Sequence, residues 1–175
     1  MGMSTHLFIL KELPKYEEIR ERAKRYPDID PDSVSAYILL LRVASDVALR
    51  IEARLAGHGL SRARFAVLMI LNKHPDVGMS PVELSRKCIV TRATMTGLLD
   101  GLERDGLILR ADHEFDRRMQ TISLTAKGRK LLDGMLPEYY RLINSLMAPL
   151  SRSDKTEISG LLTKLGRMME QSAAG

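Results

Sequence analysis

The side chains best suited to chemistry in this sequence are short hydroxyls and arginines near its middle. Thr91, Arg92, Thr94 and Thr96 open a predicted helix, where hydroxyl and guanidinium groups can reach base edges and phosphates of DNA. Two more arginines, in Asp116-Arg117-Arg118, end a polar link between two alternating segments. Arginines at such an exposed tip suit the narrow, electronegative minor groove. These residue types and positions predict contacts with double-stranded DNA.

Two short helices and a hairpin are predicted to position these side chains. Ser80-Pro81-Val82-Glu83 has the spacing of a capping box with proline at the first helical position. Thr91 caps a second helix, which ends at Asp105-Gly106. Its apolar residues fall on one helical face: Met95, Leu98, Leu99 and Leu102. The period then changes to two over residues 107–112 and 119–124, which predicts a hairpin and completes a winged helix-turn-helix.

Long helices flank this unit and have wide apolar faces. One is predicted from Asp32 or Ser33 to about Ala56, another begins after the cap Thr125, and the last is capped by Ser153. The last helix repeats apolar residues at helical spacing: Ile158, Leu161, Leu162, Leu165, Met168 and Met169. Faces this wide need burial on more than one side, either across the domain centre or on a second subunit.

The predicted fold class is mainly α with a small β-hairpin wing. The chain divides into an N-terminal extension (1–30), a first long helix (31–60), a winged helix-turn-helix (61–124) and C-terminal helices (125–175). The extension contains a helix at 14–25, for which two interpretations stay open. It is either a short surface helix or an arm that reaches a partner subunit.

Charge and hydropathy exclude several protein classes. The chain has 27 basic and 22 acidic residues in 175, a formal charge of +5 that is compatible with nucleic acid without demonstrating it. Residues 80–132 hold ten basic and seven acidic residues, so +3 of that surplus lies in under a third of the chain. No apolar run is long enough to cross a membrane, and the first 15 residues lack a secretory pattern. A soluble protein without membrane partners is expected.

Cysteine and histidine usage argues against metal, redox and catalytic sites. The single Cys88 excludes an intramolecular disulfide, and its apolar helical position predicts core packing rather than oxidation sensing. The four histidines lack metal-ligand spacing: His6, His58, His74 and His113. No nucleophile elbow, phosphate-binding loop or paired carboxylates are present. We therefore expect no metal, no cofactor and no enzymatic activity.

The sequence resembles the MarR family of bacterial transcriptional regulators over residues 33–171. The resemblance is most specific in five segments: Ser80-Pro81-Val82-Glu83-Leu84, Thr94-Met95-Thr96, Leu102-Glu103-Arg104-Asp105-Gly106-Leu107, Asp116-Arg117-Arg118 and Leu124-Thr125-Ala126-Lys127-Gly128. It implies a homodimer, with a first dimerisation helix in 31–60 and C-terminal dimerisation helices in 125–175. It also implies that each DNA-binding winged helix-turn-helix (61–124) binds half of a pseudo-palindromic operator. It also implies that Arg117 or Arg118 enters the minor groove while Asp116 holds the wing arginines in place. Gly97 and Gly101 stand where family members often have a basic residue.

Residues and resemblance together give a set of candidate sites. The predicted DNA-binding residues are Ser80, Thr91, Arg92, Thr94, Thr96, Asp116, Arg117 and Arg118. The resemblance implies a small effector, often an aromatic acid, in a cleft between the dimer helices and the winged helix. The polar residues expected to line that cleft are Tyr37, Arg42, His58, Arg62 and Arg64.

The function predicted is a sequence-specific DNA-binding transcriptional regulator, a ligand-responsive repressor in the bacterial cytoplasm, associated with the nucleoid. The alternative is a winged-helix protein-interaction module without sequence-specific DNA binding. Salt dependence and sequence preference of DNA binding separate these two functions.

Overall fold

A computed structural model describes residues 12–74, 78–88, 90–112 and 120–173 as mainly α-helical, with a small antiparallel hairpin. The elements of these residues are α1 (Tyr16–Ala23), α2 (Pro31–Ala56), α3 (Arg62–Asn72), α4 (Pro81–Cys88), α5 (Arg92–Arg104), β1 (Ile108–Asp112), β2 (Gln120–Leu124), α6 (Ala126–Met147) and α7 (Arg152–Ala173). The predicted fold class, mainly α with a β-hairpin, is confirmed. The chain forms two compact units, divided within α6 between Asp133 and Gly134.

The helices α4 and α5 begin where the sequence predicts. The backbone N–H of Ser80 donates to the Glu83 carboxylate at 2.8 Å, and the Glu83 N–H donates to the Ser80 hydroxyl at 3.3 Å. This pair is the capping box, and Pro81 follows it at the first helical position. The Thr91 hydroxyl accepts from the N–H of Thr94 at 3.1 Å and caps α5.

The hydrophobic core of the first unit lies between α3, α4, α5 and the hairpin. The side chains that these four elements contribute at no more than 2% exposure are Val67, Leu68, Leu71, Leu84, Met95, Leu99, Leu102, Ile108 and Ile122. The predicted apolar face of α5 is therefore buried, except that Leu98 is half-buried. This packing fixes one side of α5 against the domain and leaves the opposite side exposed.

The hairpin pairs Ile108 with Leu124 and Asp112 with Gln120. Leu107, predicted to open the first strand, lies just before β1 and is buried. Met79 joins the sheet through a bridge to Ile122, with N–H to carbonyl distances of 2.8 and 2.9 Å. The segment before α4 is thereby tied to the wing.

A glycine turn and a threonine connect α5, the hairpin and α6. Gly106 has φ of 68°, a left-handed conformation that favours glycine, and its carbonyl accepts from the Thr125 hydroxyl at 2.7 Å. That hydroxyl accepts from the Gly128 N–H at 3.0 Å, so Thr125 caps α6 as predicted. A Cβ at Gly128 would overlap the carbonyl oxygen of Leu107. Gly106 is therefore favoured by its left-handed backbone, Gly128 by close backbone approach and Thr125 by its two hydrogen bonds.

Two predicted caps are wrong. The cap of α2 is Asp30, whose carboxylate accepts from the backbone N–H groups of Asp32 and Ser33 at 3.2 Å. Neither Asp32 nor Ser33 serves, because Pro31 suits the first helical position and moves the start upstream. The cap of α7 is Ser151 rather than Ser153.

The reason for the second error is a competing capping box. The N–H of Ser151 donates to the Asp154 carboxylate at 2.8 Å, and the Asp154 N–H donates to the Ser151 hydroxyl at 3.2 Å. This reciprocal pair satisfies two terminal N–H groups, whereas Ser153 falls inside the first turn.

The N-terminal extension contains α1, which is shorter than the predicted 14–25 helix and is preceded by Lys15 at its cap. Ile19 is buried, and the Tyr16 hydroxyl donates to the Asp32 carboxylate at 2.8 Å. This helix therefore packs on the start of α2 within one chain. The alternative role, an arm on a partner subunit, stays a prediction, and residues 1–11 lie outside the described residues.

The helix α7 exposes its predicted apolar stripe. Ile158, Leu161, Leu162, Leu165, Met168 and Met169 are between 41% and 62% exposed. The exposed large apolar side chains of α2 are Tyr37, Leu39 and Val43. Within the described ranges, no helix is long and apolar enough to cross a membrane.

Candidate nucleic-acid interface

The N-terminal turn of α5 presents the predicted DNA-contacting hydroxyls on an exposed surface. Thr91, Arg92, Thr94 and Thr96 are all exposed. The Thr91 and Thr94 hydroxyl oxygens lie 2.8 Å apart, and the Thr96 hydroxyl donates to the Arg92 carbonyl at 3.1 Å. A helix N-terminus also attracts phosphate through its free N–H groups and its dipole. The four residues thus form one surface suited to base edges and phosphates.

Ser80 has a structural task at the start of α4. Its hydroxyl donates to the Glu83 carboxylate at 2.7 Å while accepting from the Glu83 N–H. These bonds with Ser80 hold the pKa of Glu83 below its usual range. In the structure Ser80 takes part in the capping box, and its contact with a phosphate stays a prediction.

The predicted wing residues Asp116, Arg117 and Arg118 lie outside the described residues. The strands on either side of residues 113–119 are described, and their last pair joins Asp112 to Gln120. The wing contact stays a prediction.

Arg64, whose role in an effector cleft stays a prediction, contacts the C-terminal end of α5. Its guanidinium donates to the carbonyls of Gly59 and Gly101, both at 3.3 Å, and to the Asp105 carboxylate. The bond and charge of Arg64 lower the pKa of Asp105. The Lys127 ammonium donates to the Asp105 carbonyl at 2.7 Å, so cations from α3 and α6 meet at this helix end.

Arg110 is a second contact with α5 that the sequence reasoning missed. Its guanidinium extends from β1 and contacts the carboxylate of Asp100 and, at 3.4 Å, that of Glu103. A signal for it exists in the sequence, because Arg110 shares the inward strand face with buried Ile108. A charged side chain on that face needs a partner, and a search for one leads to the acidic residues of α5.

The five predicted effector residues do not share one described cavity. Tyr37 is 60% exposed, Arg42 pairs with Asp46 at 2.9 Å, and Arg62 pairs with Glu52 at 2.7 Å. His58 lines a cavity of about 420 Å³, and the other four do not line it. The cavity is lined by His58, Gly59, Leu60, Asp105, Leu107, Lys127, Lys130 and Leu131.

Cys88 is half-buried at the end of α4, and burial raises the pKa of its thiol. A raised pKa reduces the thiolate fraction, which is the reactive form. Packing is therefore the role that its surroundings favour. In the part of the chain that the structure describes, no group of three or more His, Cys, Asp or Glu side chains is arranged to hold a metal ion.

A family model described as the MarR family matches residues 60–119, a range that contains α3, α4, α5 and β1 and ends just before β2. The HTH-type transcriptional repressor YetL of Bacillus subtilis is 40% identical over 146 residues, covering 83% of this chain and 87% of YetL. The chain belongs to the MarR family. Members of the MarR family are DNA-binding transcriptional regulators rather than enzymes.

Solved structures agree with a MarR winged helix-turn-helix. The S. aureus MepR–DNA complex matches with a TM-score of 0.67 and 22% identity, over 76% of this chain and 95% of MepR. Bordetella bronchiseptica BpsR, whose DNA binding is regulated by 6-hydroxynicotinic acid, matches with a TM-score of 0.65 and 24% identity, over 75% of this chain and 98% of BpsR. At these identities the likeness shows the fold of this MarR protein, which confirms the predicted winged helix-turn-helix.

Proposed function

We propose that this MarR protein is a repressor that binds a pseudo-palindromic operator as a homodimer. The observation that carries the proposal is the exposed N-terminal turn of α5, with three hydroxyls and Arg92 on a surface backed by a buried apolar face. Such a helix fits the major groove, with its first residues against base edges. The name of YetL, a transcriptional repressor, supports repression as the direction of control.

The exposed stripe on α7 supports the homodimer. Six large apolar side chains there are exposed in a single chain, and a patch of this kind marks an interaction surface. A second copy with the same stripe would remove both from water, with about 25 cal/mol gained for each Å² of apolar surface buried. Two winged helices in such a dimer would contact half-sites about 34–36 Å apart.

The proposed division of labour assigns base contacts to Thr91, Arg92, Thr94 and Thr96, and minor-groove contacts to Arg117 or Arg118. Ser80, at the start of α4, would sit beside a phosphate, and Asp116 would orient the wing arginines. Phosphate contacts fix the orientation of the protein on the duplex, whereas base contacts supply the sequence preference.

We also propose that a small molecule relieves repression by this protein. The cavity beside His58 combines Lys127 and Lys130 with the apolar side chains of Leu60 and Leu131. Positive charge next to an apolar wall suits an aromatic acid, and BpsR offers a precedent of that chemical class.

The test of DNA binding uses the intact protein and a labelled fragment upstream of its own gene, with a scrambled competitor and a series of salt concentrations. We expect tight, competitor-resistant binding that weakens steeply with salt. Binding that any DNA competes away would favour the protein-interaction module instead. Aromatic acids are then screened for dissociation of the complex, with His58→Ala as the variant that should respond less.

Removal of the wing arginines is the matching variant test. Arg117→Ala combined with Arg118→Ala should weaken operator binding by about 100-fold, since two phosphate or groove contacts are lost, and should leave the dimer intact. The control combines Arg22→Ala in α1 with Arg25→Ala just after α1, and it removes the same charge away from the winged helix-turn-helix. Equal loss in both double variants would show a general charge effect and contradict the wing assignment.

A further inference from the structure

The exposed side of α5 has a mixed composition. Arg92 and Thr96, which we assign to DNA, share a helical stripe with Asp100 and Glu103, because these positions repeat at spacings of three and four. Asp105 follows at the C-terminal cap. Carboxylates near a DNA surface repel phosphates, so their presence on a recognition helix calls for an explanation.

Each of these carboxylates is contacted by an arginine from another element. Arg64 on α3 binds Asp105, and Arg110 on β1 contacts both Asp100 and Glu103. The side chains of the two arginines are only 21% and 22% exposed, whereas the three carboxylates are 44% to 48% exposed. The cations therefore come from inside the domain and hold the outer edge of α5.

Arginine is the residue type that this arrangement requires. Arg64 reaches three acceptors on two segments: the Gly59 carbonyl before α3, the Gly101 carbonyl in α5 and the Asp105 carboxylate. Arg110 donates a hydrogen bond to the Asp100 carboxylate, and its Nε lies 3.4 Å from the Glu103 carboxylate in an ion pair without a hydrogen bond. A planar guanidinium presents several donors in fixed directions, whereas a lysine ammonium is a single point of charge.

Apolar packing by itself would not fix the direction in which α5 points. Met95, Leu99 and Leu102 bury its inner face, but burial is non-directional and tolerates small rotations and tilts. Charge-assisted hydrogen bonds are directional. At about 1.5 Å of rise per residue, the carboxylates lie roughly 10 to 15 Å along the helix from the DNA-contacting turn, so a slight tilt at one end displaces the other.

We propose that Arg64 and Arg110 are positioning residues for DNA recognition, which hold α5 by its acidic C-terminal half so that its N-terminal turn meets the operator bases. The inference rests on the proposed function, since it assumes that α5 contacts DNA. The two arginines touch no base in this arrangement. They act through Asp100, Glu103 and Asp105.

The first test replaces each arginine by lysine, which keeps the positive charge but removes the planar guanidinium with its several donors. Arg64→Lys and Arg110→Lys are compared with Arg129→Lys, an exposed control on α6, using DNA selected by the intact wild-type protein from a random pool and unselected random DNA. We expect affinity for selected DNA to fall about tenfold in the first two variants, with random-DNA affinity and the salt slope unchanged because the net charge is unchanged. Thermal melts correct each affinity for the folded fraction.

The second test changes the carboxylates that the two arginines contact. It predicts that affinity for random DNA rises while affinity for selected DNA falls. Asp105→Asn and Asp100→Asn remove negative charge near DNA, so affinity for random DNA should rise by about two- to threefold. Affinity for selected DNA should fall in the same variants, because the arginines lose their charged partners. Both carboxylates are about half exposed, so these variants keep the core intact.

The outcomes separate the inference from the function on which it rests. Equal affinity of Arg64→Lys, Arg110→Lys and Arg129→Lys for selected DNA overturns the positioning role, as does equal loss on selected and random DNA. A rise on both DNAs in the asparagine variants also overturns it. If the wild-type protein selects no sequence, the proposed function fails. Hydrogen exchange of the α5 amides then decides the inference. Faster exchange in Arg64→Lys and Arg110→Lys than in Arg129→Lys is expected, and equal exchange rates contradict the inference.

Discussion

The helices α5 and α7 have the same kind of apolar pattern and opposite exposure. In α5 the residues Met95, Leu99 and Leu102 are at most 1% exposed. In α7 the leucines at 161, 162 and 165 are 41% to 60% exposed, although their spacing is equally regular. Hydrophobic periodicity therefore predicts which face of a helix will be buried, but not whether the same chain or another chain will bury it.

The two helices also differ in their polar contacts. The carboxylates of α5 are bound by arginines of α3 and β1, which lie far away in sequence. The carboxylate of Asp154 in α7 bonds only locally, to the backbone N–H of Ser151 in its own capping box. The helix α5 thus combines long-range ion pairs with a buried face, whereas the large apolar side chains of α7 are exposed.

The largest effect is expected on the α7 side of this comparison. Leu161→Asp combined with Leu165→Asp should abolish the homodimer, because each buried leucine contributes about 1.5–3 kcal/mol and two charges would be placed in the interface. Sedimentation equilibrium at micromolar concentration measures the change. Thr163→Asp, on the opposite side of α7, is the control and should stay dimeric. A double variant that remains a dimer would remove α7 from the interface.

A smaller loss is expected on the α5 side. Leu99→Ala leaves a cavity in a fully buried site and should lower the free energy of unfolding by about 3 kcal/mol. Urea unfolding at two protein concentrations should give the same difference from wild type, since the lost contacts lie within one chain. Leu162→Ala is the contrasting variant, and its effect should appear as weaker association. If Leu99→Ala and Leu162→Ala change unfolding and association in the same way, the proposed difference between α5 and α7 is wrong.

The smallest effect is expected from acid, which acts on both helices. The pKa of Asp105 is lowered by Arg64, and that of Asp154 by its bonds to Ser151. Because the folded-state pKa values lie below the ordinary 3.8, this stabilisation is complete above that value and is lost as pH falls through the lower values.

Urea midpoints of wild type, Asp105→Asn and Asp154→Asn between about pH 6 and pH 3 measure this loss. Each variant should be less stable than wild type at the upper end, and the difference should shrink toward the lower end. A difference that stays constant with pH would mean that the carboxylate charge is not what stabilises the folded chain.

Local sequence signals predicted most of the secondary structure. The capping box at Ser80, the cap Thr91 and the turn at Gly106 are confirmed because each depends on residues within a few positions. The errors at Ser153 and at Asp32 or Ser33 arose where two caps competed within three residues, and Pro31 or Asp154 decided the outcome.

The polar contacts of α5 were less predictable. Arg64 was assigned to an effector cleft, yet its partner Asp105 lies 41 residues away. Spacing along the chain indicates nothing about such a pair, since it depends on how α3 and α5 pack. The contact of Arg110 was easier to predict, because a charged side chain on the inner face of a strand requires an oppositely charged partner nearby.

Asp105 belongs to two parts of the molecule, since it is held by Arg64 and also lines the cavity beside His58. Lys127, which binds the Asp105 carbonyl, lines the same cavity. A small molecule in that cavity would therefore contact the C-terminal end of α5, the helix that we propose binds the operator. Thermodynamic linkage then makes the coupling reciprocal: whatever factor the small molecule removes from operator affinity, the operator removes from the affinity of the small molecule.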